Sequence, residues 1–365
     1  MREQFIKVSL KEAYDLIVKN LVPVSETEEI NIDKCWGRII AEDIIADFDG
    51  PSFDRSPYDG YAVNSADIAD ASHDDPAVLK VIDELSAGMT ADCPVTAGTA
   101  VRIMTGAPIP AGADCVVMQE DTDYGEDSVE IYKPVGHLEN YCFAGENFRT
   151  GQLVIPFGTK LSFTDAGVLG SLGRTSVKVY RKPKVAVIAT GDEVVAPGQS
   201  LPPAKIYNSN MYMLMAAAES NGADVVMSVM SGDDTAHISS LIKEAAEVAD
   251  VILTSGGISV GKKDLLRKAL AAAGAKIHFS QIDVRPGGAV TFATIGNTSV
   301  VSLSGSPFSA ATCFNITGKL TIRLSANEQV SFEDFEAFSE ALKKGFIKGK
   351  IIRNVVNDGE VVRFD

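Results

Sequence analysis

Four short polar, glycine-bearing stretches each follow a run of aliphatic residues: Thr190-Gly191-Asp192-Glu193, Gly232-Asp233-Asp234, Thr254 to Gly261, and Ser304-Gly305-Ser306-Pro307. Glycine lets a backbone approach an anion closely, and free amides at the start of a following helix donate to phosphate. Glu193, Asp233 and Asp264 add hard oxygen donors of the kind Mg²⁺ takes alongside phosphate and water. The same carboxylates have a plainer use, since Asp233 or Asp234, and Asp264, stand where helix N-caps are expected. The Thr254–Gly261 stretch is neither a Walker A loop nor a G-x-G-x-x-G fingerprint, and a tight strand-to-helix turn would also explain its glycines. A fifth stretch, Phe53 to Ala62, is polar and aromatic and is compatible with ordinary turn chemistry. The five cysteines are scattered, odd in number and without a C-x-x-C, so they read as reduced structural thiols. The four histidines lie too far apart for a metal cage or a Ser-His-Asp triad to be read from spacing.

The elements that must position these loops follow from periodicity. Ser9 and Glu12 form a capping-box pattern ahead of apolar residues at helical spacing, predicting a helix over Ser9 to Leu21, ended by Pro23. Between Asp47 and Glu146, short β-type runs (Ala77 to Ile82, Ala100 to Met104, Cys115 to Gln119, Ser128 to Tyr132) alternate with turns and predict a β-rich module. After Lys184, strands and helices alternate. Strands are predicted at Val185–Ala189, Val225–Met230, Val251–Thr254, Lys276–Ile282, Val290–Ile295 and Ser299–Leu303. Helices are predicted at Asn210–Ser220, Asp234–Val248 and Asp264–Ala273, with a last one opened by Ser306-Pro307. That alternation predicts a doubly wound, mainly parallel sheet, with ligands at the carboxyl ends of its strands, where the four loops converge. Beyond Leu324 a polar helix (Phe332 to Lys344) and a Val/Ile-rich tail are expected.

A chain of 365 residues suggests two or three domains on a scale of roughly 100–200 residues each. Its 45% hydrophobic and 22% charged residues argue against wholesale disorder. With 33 basic against 49 acidic residues, the net charge of −16 disfavours nucleic acid and anionic membranes as partners. An anionic substrate would need a local positive island. No apolar run reaches the ~20 residues of a membrane span, and the charged start is no signal core, so a cytoplasmic protein is expected.

The stretch FDRSPYDGYAV (Phe53 to Val63) resembles the FDxSxxDGYAV signature of the MoeA family of molybdopterin molybdenumtransferases, which includes the gephyrin E domain. RIMTGAPIPAGADCVVMQED (Arg102 to Asp121) is similar to that family's RIMTGAPxPxGxxxVVxxE segment. GENF (Gly145 to Phe148), ATGDEVVAPGQSL (Ala189 to Leu201), SGDD (Ser231 to Asp234), SGGISVGKKD (Ser255 to Asp264) and the SGSP turn follow in family order. The resemblance covers about Phe5 to Leu324. It implies an α/β molybdopterin-binding domain (1–24 and 177–325), a linker and dimerisation β domain (25–48 and 148–176), a β-rich domain (49–147) and a short C-terminal β domain (326–365).

The resemblance further implies an elongated homodimer with its site where the α/β domain of one subunit faces the β-rich domain of the other. A molybdopterin adenylyltransferase is the implied partner supplying the substrate. The implied reaction takes adenylylated molybdopterin and molybdate, uses Mg²⁺, and releases AMP and molybdenum cofactor. Asp59, Thr105, Glu193, Asp233 and Asp264 would be catalytic, the last three also holding the metal. Thr190, Gly191, Ser255, Gly256, Gly257, Ser259, Gly261, Arg285, Gly305, Ser306 and Pro307 would contact the ligand.

The chain also departs from the family. Where K-x-x-x-K-P-G-K-P is common, it reads Gln281 to Ala289, with Gln281 and Gly288 in place of two lysines and Arg285 as the one remaining cation. The L-P-G-N-P turn is Leu303-Ser304-Gly305-Ser306-Pro307, Asn147 replaces an expected Asp, and Lys262 and Lys263 stand in the glycine loop. Three readings follow: a transferase, a diverged protein that only binds the pterin nucleotide or finished cofactor, and a clustering scaffold.

Overall fold

The computed structural model describes residues 6–257, 265–284, 287–337 and 340. They fall into two compact units. One draws on residues 1–42, 157–166 and 175 onward, and the other on residues 43–156 and 167–174.

In the first unit, a six-stranded sheet has the order Asp224–Ser231, Lys184–Thr190, Val251–Ser255, Thr298–Leu303, Val290–Ile295, Lys276–Phe279. Its first four strands are parallel, and Val290–Ile295 runs antiparallel to both of its neighbours, Thr298–Leu303 and Lys276–Phe279. The antiparallel step comes from the two-residue turn Gly296-Asn297, which closes a hairpin with Ile295 paired to Thr298. Lys276–Ile282, expected as one strand, divides at Ser280, and Gln281–Ile282 pairs in parallel with Lys7–Val8 instead.

Alternate residues of the strands feed two cores. Val187, Leu253 and Val301 pack with helix residues Ile17, Leu214 and Leu320, whereas Ile188, Ile252 and Val300 pack with Ile242 and Leu270. Burial on both faces is why these strands read as unbroken apolar runs. The capping box forms as expected around helix Leu10–Asn20: Ser9 N–H donates to Glu12 Oε2 at 2.7 Å and Glu12 N–H to Ser9 Oγ at 3.2 Å.

From Lys184–Thr190 the chain winds outward to Asp224–Ser231, then crosses back to Val251–Ser255 on the other side. The carboxyl ends of Lys184–Thr190 and Val251–Ser255 therefore flank a topological switch point, where such sheets bind ligands.

The second unit is built on a five-stranded sheet, in the order Cys115–Met118, Gly60–Val63, Thr99–Ile103, Ala77–Leu85, Ser128–Ile131. Its strands are antiparallel except for the Ala77–Leu85 and Thr99–Ile103 pair. Gly60–Val63, read above as the tail of a polar loop, is a fully buried strand. Four residues covered on both faces leave no alternation to detect. A Cβ on Gly60 would lie 1.9 Å from the Val117 carbonyl oxygen, so only glycine fits there.

Candidate functional site

The switch-point crevice is lined by close backbone contacts, one of which excludes any side chain at Gly256. Gly256 has φ +96°, and a Cβ there would lie 2.2 Å from the Thr190 carbonyl oxygen. Its N–H donates to Leu303 O at 3.3 Å. Gly257 follows at φ +68°, and Thr190 Oγ1 donates to Ser255 O at 3.3 Å. Gly305 stands so close that its own Cβ would touch Gly256 Cα at 3.4 Å. Thr190, Ser255, Gly256, Gly257 and Gly305 are thus brought together as the sequence suggested.

Asn210 clasps these loops, a role that its place at the head of an apolar helix does not announce. Its Nδ2 donates to Ser255 Oγ at 2.6 Å and to Gly305 O at 2.8 Å. Ser306 occupies the N-cap of helix Pro307–Cys313 with Pro307 at the first turn, but its side chain makes no capping bond, contrary to its sequence signature. Ser306 and Pro307 are exposed.

The acidic loops lie on the neighbouring strand ends. Asp234 is the N-cap of Thr235–Val248, its Oδ1 accepting from the Ala236 and His237 amides at 2.8 and 3.1 Å. This decides between the two aspartates: Asp233 is not the cap. Instead the Asp233 N–H donates to Asp192 Oδ1 at 3.0 Å, and the Gly191 N–H donates to Ser231 O at 3.1 Å. Glu193 is exposed, and its carboxylate lies over Gly191, within 2.9 Å of where a Cβ would stand. Among the described residues no group of three or more His, Cys, Asp and Glu is arranged to hold a metal. The donor set still suits Mg²⁺, which commonly takes one or two carboxylates and completes its shell with water and substrate phosphate. Asp264, Ser259, Gly261, Arg285, Lys262 and Lys263 lie outside the described residues.

In the second unit, Asp59 and Thr105 meet from 46 residues apart: Asp59 Oδ1 accepts from the Thr105 N–H at 2.7 Å and from its hydroxyl at 2.8 Å. These two donors hold the Asp59 carboxyl below its usual range. The loop before it is fixed by Asp54, which accepts from Tyr141 Oη and the Ala144 N–H, both at 2.7 Å, and by an Arg55–Glu146 ion pair. Burial and the Asp54 carboxylate push the Tyr141 phenol up to about 12, so it stays a donor.

Comparison with known proteins places this geometry. The chain is 39% identical over 314 residues to a molybdopterin molybdenumtransferase of Staphylococcus epidermidis, covering 86% of this chain and 75% of the relative. A molybdopterin molybdenumtransferase of Staphylococcus aureus is also 39% identical, over 316 residues, covering 87% and 75%. The chain belongs to the MoeA family of molybdopterin molybdenumtransferases. Family models agree: residues 8–173 match the MoeA N-terminal region (domain I and II), and residues 186–323 match a probable molybdopterin binding domain. Two crystal structures of the molybdopterin biosynthesis MoeA protein of Pyrococcus horikoshii superpose with TM-scores of 0.74 and 0.77. They are 34% and 30% identical, each covering 88% of this chain and 81% and 80% of theirs. In this MoeA-family chain, Gly288 is shaped by its own loop: a Cβ there would lie 2.4 Å from Ile282 O and 2.6 Å from Val284 O.

Proposed function

We propose that this chain inserts molybdate into adenylylated molybdopterin, with Mg²⁺, and releases AMP. The observation carrying this reading is the glycine-lined crevice at the switch point, where Gly256 admits no side chain, Gly305 packs against it and the loops bearing Glu193 and Asp233 adjoin. The Gly257 backbone amide would receive a phosphate oxygen, while Gly256, whose own N–H is held by Leu303 O, would let the ligand approach the turn closely. Ser259, Gly261 and Arg285 are assigned to the same cradle on sequence resemblance. Thr190, Gly191, Ser255, Gly305, Ser306 and Pro307 would shape its walls. Glu193, Asp233 and Asp264 would hold Mg²⁺, which when bound neutralises charge on the pyrophosphate link being cleaved. Asp59, kept ionised by Thr105 and so a poor proton acceptor, would orient a water beside the oxyanion, because a carboxylate repels the oxyanion itself. We assign the working form as a homodimer, each subunit with an α/β domain (1–24 and 177–325), a dimerisation β domain (25–48 and 148–176), a β-rich domain (49–147) and a C-terminal β domain (326–365). No helix of the described residues is long and apolar enough to cross a membrane.

A second reading, a protein that binds the pterin nucleotide without turnover, is favoured by one observation: the Gly288 backbone leaves no room for the family lysine. Incubating the purified protein with adenylylated molybdopterin, molybdate and Mg²⁺ separates the two. Stoichiometric, Mg²⁺-dependent AMP release is expected. Tight binding of the nucleotide without AMP release would establish the second reading.

A further inference from the structure

Gly232 does not occupy the left-handed region, so its backbone conformation alone does not call for glycine. What fills the space a side chain would take is one atom: a Cβ on Gly232 would lie 2.7 Å from Asp192 Oδ1, and the next nearest atom, Asp192 Cγ, is 3.9 Å away. That same Oδ1 accepts the Asp233 N–H at 3.0 Å. In the opposite direction the Gly191 N–H donates to Ser231 O, so two hydrogen bonds lock the loop after Lys184–Thr190 to the loop after Asp224–Ser231. On the far side of Asp233, Asp234 is anchored as the helix cap. Asp192 is itself steadied from behind, with Lys205 Nζ donating to its carbonyl oxygen at 2.5 Å.

We propose that Asp192 is a positioning residue: through the Asp233 amide, in the space Gly232 leaves open, it holds the Asp233 and Glu193 loops at the spacing that metal binding requires. This rests on the Mg²⁺-dependent reading above. Asp192 does not touch the metal; its role needs an acceptor oxygen and not a charge. Outer-shell groups that orient metal ligands are commonly worth about ten- to a hundred-fold in metal affinity. The latch also explains why glycine stands at 232, where no turn geometry demands it.

Three full-length variants test the latch: Asp192→Ala, Asp192→Asn and Gly232→Ala. Peptide-level amide exchange over residues 231–234 should accelerate in Asp192→Ala and Gly232→Ala and stay at the wild-type rate in Asp192→Asn, with melting temperature unchanged in all three. The Mg²⁺ concentration giving half-maximal AMP release should rise about tenfold or more in the first two and stay within about twofold in Asp192→Asn, with the rate at saturating Mg²⁺ retained. Unchanged exchange in Asp192→Ala would overturn the latch. So would an Asp192→Asn variant as impaired as Asp192→Ala, since charge would then matter more than an acceptor. A wild-type protein that releases no AMP would remove the transferase reading, and the exchange measurement would still decide the latch.

Discussion

Gly288 stands where the family commonly carries a lysine, and the obvious experiment is to restore it. The geometry predicts failure: a side chain there would enter the space of the Ile282 and Val284 carbonyl oxygens, and Gly288 O also accepts the Ile282 and Val290 amides at 2.9 and 3.0 Å. Gly288→Lys should therefore cost about 1–3 kcal/mol of stability, as overpacking typically does, without strengthening molybdate binding. Thermal denaturation together with molybdate titration checks both halves. A stable variant that binds molybdate more tightly would show that the loop reshapes freely. At this scale the sequence was informative wherever a residue acts through its own type and its local neighbours: Gly256, Gly257 and Gly305 were legible from glycine after a strand. Asn210 and Asp192 were not. Asn210 reads as the first residue of an apolar helix, and Asp192 is one position from a more conspicuous acid. Both roles depend on partners 95 and 41 positions away, brought close by strand order.

Helix caps give two sequence signatures of similar quality and opposite structural outcome. Asp234 makes both of its capping bonds, whereas Ser306 makes none. Asp234→Ala should cost about 1 kcal/mol, within the usual range for a lost N-cap, and Ser306→Ala should leave stability unchanged. Denaturant unfolding of the two variants checks this, and equal losses would show that Ser306 caps in solution. Long periodic elements were legible: Asn210–Ser220 appears with its predicted bounds, and Thr235–Val248 begins one residue after its cap. Gly60–Val63 was hidden because a short strand buried on both faces lacks a period. The π-helical stretch Phe314–Gly318, between helices Pro307–Cys313 and Lys319–Ser325, was hidden too. There Thr317 Oγ1 donates to Cys313 O at 2.8 Å, a back-bond that residue type alone does not announce.

For the whole molecule, the strongest motifs divide between two compact units: Asp59 and Thr105 in one, Thr190, Glu193, Asp233 and the glycine turn in the other. Spacing along the chain carried no information about how such distant groups cooperate, and only the family resemblance supplied an answer, a site shared between two copies. The proposed homodimer makes that answer testable by mixing. Asp59→Asn and Glu193→Gln, each expected to be inactive alone, belong to opposite halves of the proposed shared site. In a dimer reassembled from equal amounts of both, about half the molecules are mixed, and each mixed dimer has one site with both groups intact and one with both altered. Activity should return to about a quarter of wild type, because one of two sites works in half of the dimers. A site contained within one chain predicts the opposite, since every chain in the mixture carries one lesion and no pairing repairs it. Recovery on mixing, read as AMP release after co-refolding or co-expression, therefore separates a shared site from a self-contained one. Light scattering on the same samples establishes that both variants still dimerise, so that an absence of recovery would count against the shared site and not against assembly.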